Sequence, residues 1–266
     1  MKGKLIAFNY FGGKYNWVEQ LYENFPEHMH FVDVMCGSMS VTLNKMPSKM
    51  DTANDLDGSV YNFFKVLRDN PSELIRVLSL TPVSRLEYNN CWPIVEDEMH
   101  EVEWARRFFV RCRQSFQGSG IEKSTGFNAC IATTESGMSK NVKKFMSSIE
   151  KLELVVERLK RIQIENLDYS DLIPKYDRPG TFFFVDPPYV LKTRKYKKRY
   201  TLEFDNQEHR QLAATLSGIE GKAMVCGNES ELYEELFEGW RFKRLIPKGH
   251  SMKGAEQQKE CIWMNF

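Results

Sequence analysis

Short apolar runs separated by polar stretches of helical period organise this chain. Runs rich in β-branched and aromatic residues at 29–34, 50–54, 162–165, 181–185 and 222–226 predict strands, and 240–246 with 260–266 predict a closing pair. Helical patterns fall between them at 16–25, 41–45, 205–217 and 230–237. The first stops ahead of Pro26, and Asp205 followed by Glu208 forms the signature of a capping box. Strands alternating with helices predict an α/β fold, a doubly wound, mostly parallel Rossmann-like sheet closed by an antiparallel hairpin. Between residues 61 and 160 the alternation is lost. Helical patterns occupy 61–69, 71–78, 85–90, 102–114 and 141–161, with a Gly-, Ser- and Thr-rich stretch over 118–139. The chain therefore reads as a discontinuous domain, residues 1–60 and 161–266, carrying a mainly helical insertion over 61–160.

Composition narrows the function classes. At 266 residues and 42% hydrophobic the chain has ample material for a core, and a formal net charge of +1 gives no global attraction to a polyanion. A nucleic-acid partner must then be held by local patches. One follows the strand at 181–185, where Lys192, Arg194, Lys195, Lys197, Lys198 and Arg199 are interleaved with Tyr196 and Tyr200. A second basic loop covers 248–253. The six cysteines show no Cys-x-x-Cys spacing, and His28 and His30 lack companion ligands, so reduced thiols and no metal are expected. No apolar run approaches the roughly 20 residues needed to span a bilayer. The first residues lack a signal-peptide h-region, so the expectation is a soluble, cytoplasmic protein.

The chemistry concentrates at Thr181-Phe182-Phe183-Phe184-Val185-Asp186-Pro187-Pro188-Tyr189. In open α/β sheets ligands collect beyond the carboxyl ends of the strands, which is where Asp186 stands. Two prolines stiffen the backbone and offer no N–H, so the Pro187 carbonyl is a rigid acceptor. A carboxylate and a carbonyl together can hold both hydrogens of an exocyclic amine and help localise its lone pair, while Tyr189 offers a flat face for a ring.

Asp-Pro-Pro-Tyr resembles the catalytic motif of amino methyltransferases, and the chain as a whole is similar to the Dam-type (D12 class) DNA adenine-N6 methyltransferases. The resemblance extends to Tyr10-Phe11-Gly12-Gly13-Lys14, to Asp33-Val34-Met35-Cys36-Gly37-Ser38 and to Ala53-Asn54-Asp55-Leu56-Asp57, in the family's order. It implies a methyltransferase fold of bacterial or phage type. It further implies transfer of a methyl group from S-adenosylmethionine to the N6 amine of an adenine flipped out of double-stranded DNA, with no metal. Catalysis then falls on Asp186, Pro187, Pro188 and Tyr189. Cofactor binding falls on Tyr10, Lys14, Asp33, Gly37, Asp55, Asp168 and Asp186, with Asp55 on the ribose hydroxyls and Asp168 on the cofactor's adenine amine. Asp57 is read instead as a helix cap. The insertion becomes a target-recognition region.

Candidate DNA contacts are Arg113, at the end of a helix also carrying Arg106, Arg107 and Arg111, then Asn128 in the following loop, and Lys192, Arg194, Lys195 and Lys197. Two departures stand out. Met35 replaces the family's usual Phe, and Met39 replaces its second glycine. If position 39 needs a positive φ or a close approach of the cofactor, Met39 strains the loop or crowds the ligand. Two alternatives therefore stay open: a cytosine-N4 methyltransferase of the same geometry, and a DNA-binding protein with impaired cofactor binding. An NAD oxidoreductase is disfavoured, because Gly37 stands alone where a dinucleotide loop needs three glycines.

Overall fold

The computed structural model describes residues 4–92, 99–116, 126–134, 137–194, 203–246 and 260–266. Seven strands form a single sheet in the order β3-β2-β1-β4-β5-β7-β6. They are β1 (His30–Asp33), β2 (Met50–Asn54), β3 (Gln163–Glu165), β4 (Thr181–Val185), β5 (Lys222–Gly227), β6 (Arg241–Arg244) and β7 (Cys261–Met264). The first five run parallel, and β7 pairs antiparallel with both β5 and β6. The expected doubly wound sheet with a closing hairpin is thus what the chain builds.

Alternation along β4 explains why the sheet is covered on both faces. Phe182 and Phe184 pack with Phe31, Val18, Leu21, Met224 and Ile262 on one side, while Phe183 and Val185 pack with Val32, Leu172, Leu212 and Val225 on the other. The covering helices are α1 (Val18–Tyr22) and α2 (Ser40–Asn44), then α9 (Tyr169–Tyr176), α10 (Asn206–Ser217) and α11 (Glu231–Leu236). The capping box expected at Asp205 and Glu208 is present. α1 is shorter than the predicted 16–25. Its end is set where Asn24 turns its side-chain amide onto the Gln20 carbonyl at 2.6 Å, and Phe25, preceding Pro26, is biased away from helix. The edge strand β6 presents Arg241, Lys243 and Arg244, charges that discourage pairing with another sheet.

The insertion holds α3 (Gly58–Asp69), α4 (Pro71–Ser79), α5 (Arg85–Asn90), α6 (Glu101–Gln114), α7 (Lys140–Glu150) and α8 (Leu152–Leu159). The single helix expected over 141–161 is two, interrupted at Lys151, whose N–H turns to the Ile149 carbonyl in place of an i→i−4 partner. Phe63, Phe64, Leu74, Phe108, Phe109 and Ile149 share one apolar cluster with Ala7, Phe8, Met39, Leu43 and Ala53. The helices are therefore packed onto the β2 side of the sheet. The expected division at residue 60 falls inside α3.

Chain order in the sheet fixes the site. β1 and β4 are neighbours although about 150 residues separate them in sequence, which makes the crevice between their carboxyl ends the topological switch point. Asp33 lies opposite Phe184, so Asp33 and Asp186 emerge side by side.

Candidate active site

Asp186 is the first residue beyond a strand whose five members are all buried. Lys14 meets it there. The turn closed by the Gly13 N–H on the Tyr10 carbonyl at 3.1 Å carries Lys14 inward until its ammonium lies 2.6 Å from each Asp186 oxygen and 2.9 Å from the Gly12 carbonyl. Only 3% of the Lys14 side chain is exposed, so this is a buried ion pair. Glu260, just ahead of β7, approaches the same ammonium at 3.8 Å and accepts the Tyr189 hydroxyl. The ammonium also sits 4.9 Å from the centre of the Tyr189 ring.

Burial raises the Asp186 pKa and the Lys14 charge opposes that rise. Burial likewise pushes Glu260 up to about 7, with Lys14 again opposing. One ammonium between two carboxylates thus opposes protonation of the acceptor at the end of β4. The Pro187 carbonyl beside it receives no hydrogen bond from a described residue, and Pro187 itself is buried. Within the motif, Asp186 and Pro188 line the cleft, whereas Tyr189 packs behind them against Lys14 and Glu260.

The cleft encloses about 890 Å³ counted to its open mouth. The residues expected to bind cofactor, Tyr10, Lys14, Asp33, Gly37, Asp55, Asp168 and Asp186, all line it. Asp33 closes β1. Its Oδ2 accepts the Thr42 hydroxyl at 2.5 Å, its Oδ1 is buried with no hydrogen-bond partner, and burial lifts its pKa to about 7. Asp55 follows β2, and its two oxygens accept the N–H groups of Gly37 at 2.8 Å and Asp57 at 3.0 Å, so it ties the loop after β1 to its own. Burial lifts it to about 7 as well. Gly37 has φ +46, and a β-carbon there would stand 2.9 Å from the Tyr10 ring. Glycine lets the ring and the loop touch.

Three expectations need adjustment. Asp57 does cap α3, accepting the Ser59 N–H at 2.8 Å, and it also takes the Tyr10 hydroxyl at 3.4 Å. Asp168 also caps α9 and holds both the N–H and the hydroxyl of Ser170, so it enters the cleft already partly engaged. Met39 adopts the positive φ that was feared, at 56°, but its side chain is fully buried with Ala7, Phe8 and Leu43 and does not line the cleft. The crowding of a ligand by Met39 is therefore corrected: the left-handed backbone turns the side chain into the core.

The DNA candidates fare unevenly. Arg113 is turned inward, donating to the Asn9 side chain at 2.9 Å and the Ala7 carbonyl at 3.0 Å, so it braces the segment leading to Tyr10. Burial lowers its pKa to about 10. Arg194 is also inward, with 5% of its side chain exposed and an ion pair to Glu203 at 2.5 Å, which corrects its reading as a surface phosphate contact. Lys192 is exposed on a short 3-10 turn, Leu191–Thr193. Asn128 bridges backbones, with its N–H on the Gln114 carbonyl at 2.8 Å and its carbonyl taking the Asn141 amide at 2.5 Å. Lys195 and Lys197, and the basic loop at 248–253, lie outside the described residues.

Two functional features escaped sequence reasoning. Glu260 is 74 positions from Asp186 and sits in no motif, so nothing local marks it. Asn54 fastens the ends of three strands, donating to the Val34 carbonyl at 2.8 Å and the Leu167 carbonyl at 3.0 Å while accepting the Leu167 N–H at 2.8 Å. Its position just before Asp55 was the available signal.

Residues 10–252 match the family described as D12 class N6 adenine-specific DNA methyltransferase. Over 275 residues the chain is 26% identical to the type II methyltransferase M1.LlaDCHI of Lactococcus lactis subsp. cremoris, across 96% of this chain and 93% of that protein. It is 23% identical over 263 residues to the modification methylase StsI of Streptococcus sanguinis, across 90% of this chain but 38% of that protein. Among solved structures it overlaps SMU.472 in complex with SAH, at TM-score 0.36 and 10% identity over 92% of this chain and 50% of that one. It also overlaps the rRNA methyltransferase aviRa from Streptomyces viridochromogenes, at TM-score 0.40 and 9% identity over 93% and 82%. Neither likeness reaches a TM-score of 0.5.

Proposed function

The chain belongs to the D12 class N6 adenine-specific DNA methyltransferase family, and on that premise we propose how its own residues carry out methylation of adenine N6 at specific sites in DNA. The family decides between amines, so the cytosine-N4 alternative falls. The observation that carries the reading is the pairing of Asp186 with Lys14 at the carboxyl end of β4, beside a Pro187 carbonyl that no described residue bonds.

We take the methyl donor to be S-adenosylmethionine, which supplies a methyl group made electrophilic by its sulfonium. The cleft suits such a group. The unpartnered, buried Asp33 Oδ1 calls for a cationic or N–H donor, and four carboxylates, Asp33, Asp55, Asp168 and Asp186, make the cleft favourable to a cation. Asp55 would take ribose hydroxyls, Asp168 the cofactor's adenine amine, and Tyr10 with Gly37 a wall of the site.

Asp186 and the Pro187 carbonyl would accept the two N6 hydrogens of an adenine extruded from double-stranded DNA, orienting the nitrogen lone pair toward the donor. Lys14 keeps Asp186 an acceptor. Glu260 holds the Tyr189 hydroxyl, which fixes the ring proposed to stack the base. The proton on the methylated nitrogen leaves to water after transfer. The helical insertion over 61–160 serves as the target-recognition region, and Lys192, Asn128, Lys195 and Lys197 remain proposed DNA contacts. The names of the two sequence relatives support a restriction-modification setting.

The experiment is to incubate the protein with S-adenosylmethionine and unmethylated bacterial DNA, digest to nucleosides and identify the products by mass spectrometry. N6-methyladenine that vanishes in Asp186→Ala is expected. N6-methyladenine undiminished in that variant would refute the assignment of Asp186.

A further inference from the structure

Several described cations of this protein are matched by acids one helical turn away or across a contact. Arg76 pairs with Glu73, Arg106 and Arg107 with Glu103, Lys160 with Glu157, and Arg210 with Glu235. Helix α7 gathers three that are not. Lys140, Lys143 and Lys144 stand at i, i+3 and i+4, hence on one face, all exposed and none in an ion pair with a described residue. Like charges at that spacing weaken a helix, and these occupy its N-terminal half, where positive charge is least favourable.

The lysines border a groove distinct from the methyl-transfer cleft and larger than it, about 1420 Å³ to its open mouth against about 890 Å³. Lys151 continues the basic side, and Asn128, Asn141, Ser147 and Thr134 supply neutral polar groups between the cations. Charged donors alternating with amides and hydroxyls suit phosphodiester oxygens linked by sugars. The groove also reaches the cleft. Arg113 in its wall holds Asn9, and the next residue, Tyr10, lines the cleft.

We propose that the groove between α7 and the 6–9 segment is a track for the DNA sugar-phosphate backbone, in which Lys140, Lys143 and Lys144 neutralise consecutive phosphates flanking the target adenine. The proposal deepens the function given above and rests on DNA being the substrate. Backbone contact carries no sequence information, so the groove supplies affinity and register rather than choice of site.

The test compares the wild-type protein with the K140Q/K143Q/K144Q variant by fluorescence anisotropy of a labelled DNA duplex, across about 50 to 200 mM salt. Three lost phosphate contacts lower the slope of log affinity against log salt by roughly 2.7 and weaken binding at physiological salt by roughly a hundredfold. The Arg76→Gln variant, which removes a paired cation elsewhere, is expected to keep the wild-type slope. Thermal melting of the triple variant is expected at or above the wild-type temperature, since it sheds repulsion. An unchanged slope and affinity would overturn the proposal, as would tighter competition by an acidic polypeptide than by unlabelled duplex. Binding is read without turnover, so failure of methyl transfer and failure of the groove appear in separate assays.

Discussion

Lys14→Met is the sharpest probe of the site. The substitution keeps an unbranched apolar stem but removes an ammonium 2.6 Å from both Asp186 oxygens and 3.8 Å from Glu260. Two carboxylates then face each other in a buried pocket. Leaving one partner of a buried pair ionised costs about 3–5 kcal/mol. Asp186 escapes part of that by holding a proton. The sign is fixed: burial raises Asp186 and Lys14 lowers it, so losing Lys14 moves the carboxyl further up. A protonated Asp186 donates where the amine needs an acceptor. The assay is transfer of labelled methyl groups to DNA, measured as kcat/KM against pH. The acid limb is expected to move to higher pH, with activity near neutrality reduced and partly recovered at higher pH. Lys14→Arg, which restores the charge, is expected to bring the limb back. A limb that stays in place in Lys14→Met while the protein melts normally would refute the role given to Lys14.

Other perturbations follow from the same geometry. Met39→Gly relieves a positive φ by about 1 kcal/mol but removes a fully buried side chain worth roughly 2–5 kcal/mol, so a lower melting temperature with unchanged S-adenosylmethionine affinity is expected from melts and calorimetry. Gly37→Ala drives a β-carbon to 2.9 Å from the Tyr10 ring at φ +46, and calorimetry should show weakened cofactor binding. Burial raises both Asp33 and Glu260 to about 7, so the folded protein holds protons that the unfolded chain releases above about pH 4. Stability in these groups is present below pH 4 and lost as pH rises to about 7, and melts without cofactor should fall across that window. Tyr189→Phe leaves the ring but takes the hydroxyl from Glu260; a stability loss of about 1–3 kcal/mol by denaturant titration is expected, with a smaller rate loss than in Tyr189→Ala.

Local pattern was enough for much of this molecule. The five aromatic or β-branched residues of β4, the acid after it and the two prolines carry their reading within nine positions, because strand burial and proline stiffness are properties of adjacent residues. The caps at Asp57 and Asp205 were legible for the same reason: a capping side chain bonds an N–H two or three residues away. The doubly wound class of sheet followed from alternation with helices.

What tertiary structure alone decided is which distant charges meet. Lys14 reaches Asp186 across 172 positions, and Glu260 joins them from the other end of the chain, because β4 and β7 flank β5 and the turn after Tyr10 folds over the same sheet edge. Sequence distance carries no information about such meetings. The inward turn of Arg113 and Arg194 was equally hidden, since a cation in a basic run looks the same whether it faces solvent or a buried acid or carbonyl. At Met39 the sequence determined that the residue was unusual, and the backbone dihedral determined that it was harmless to the cleft: a left-handed residue points its side chain away from the face its neighbours present.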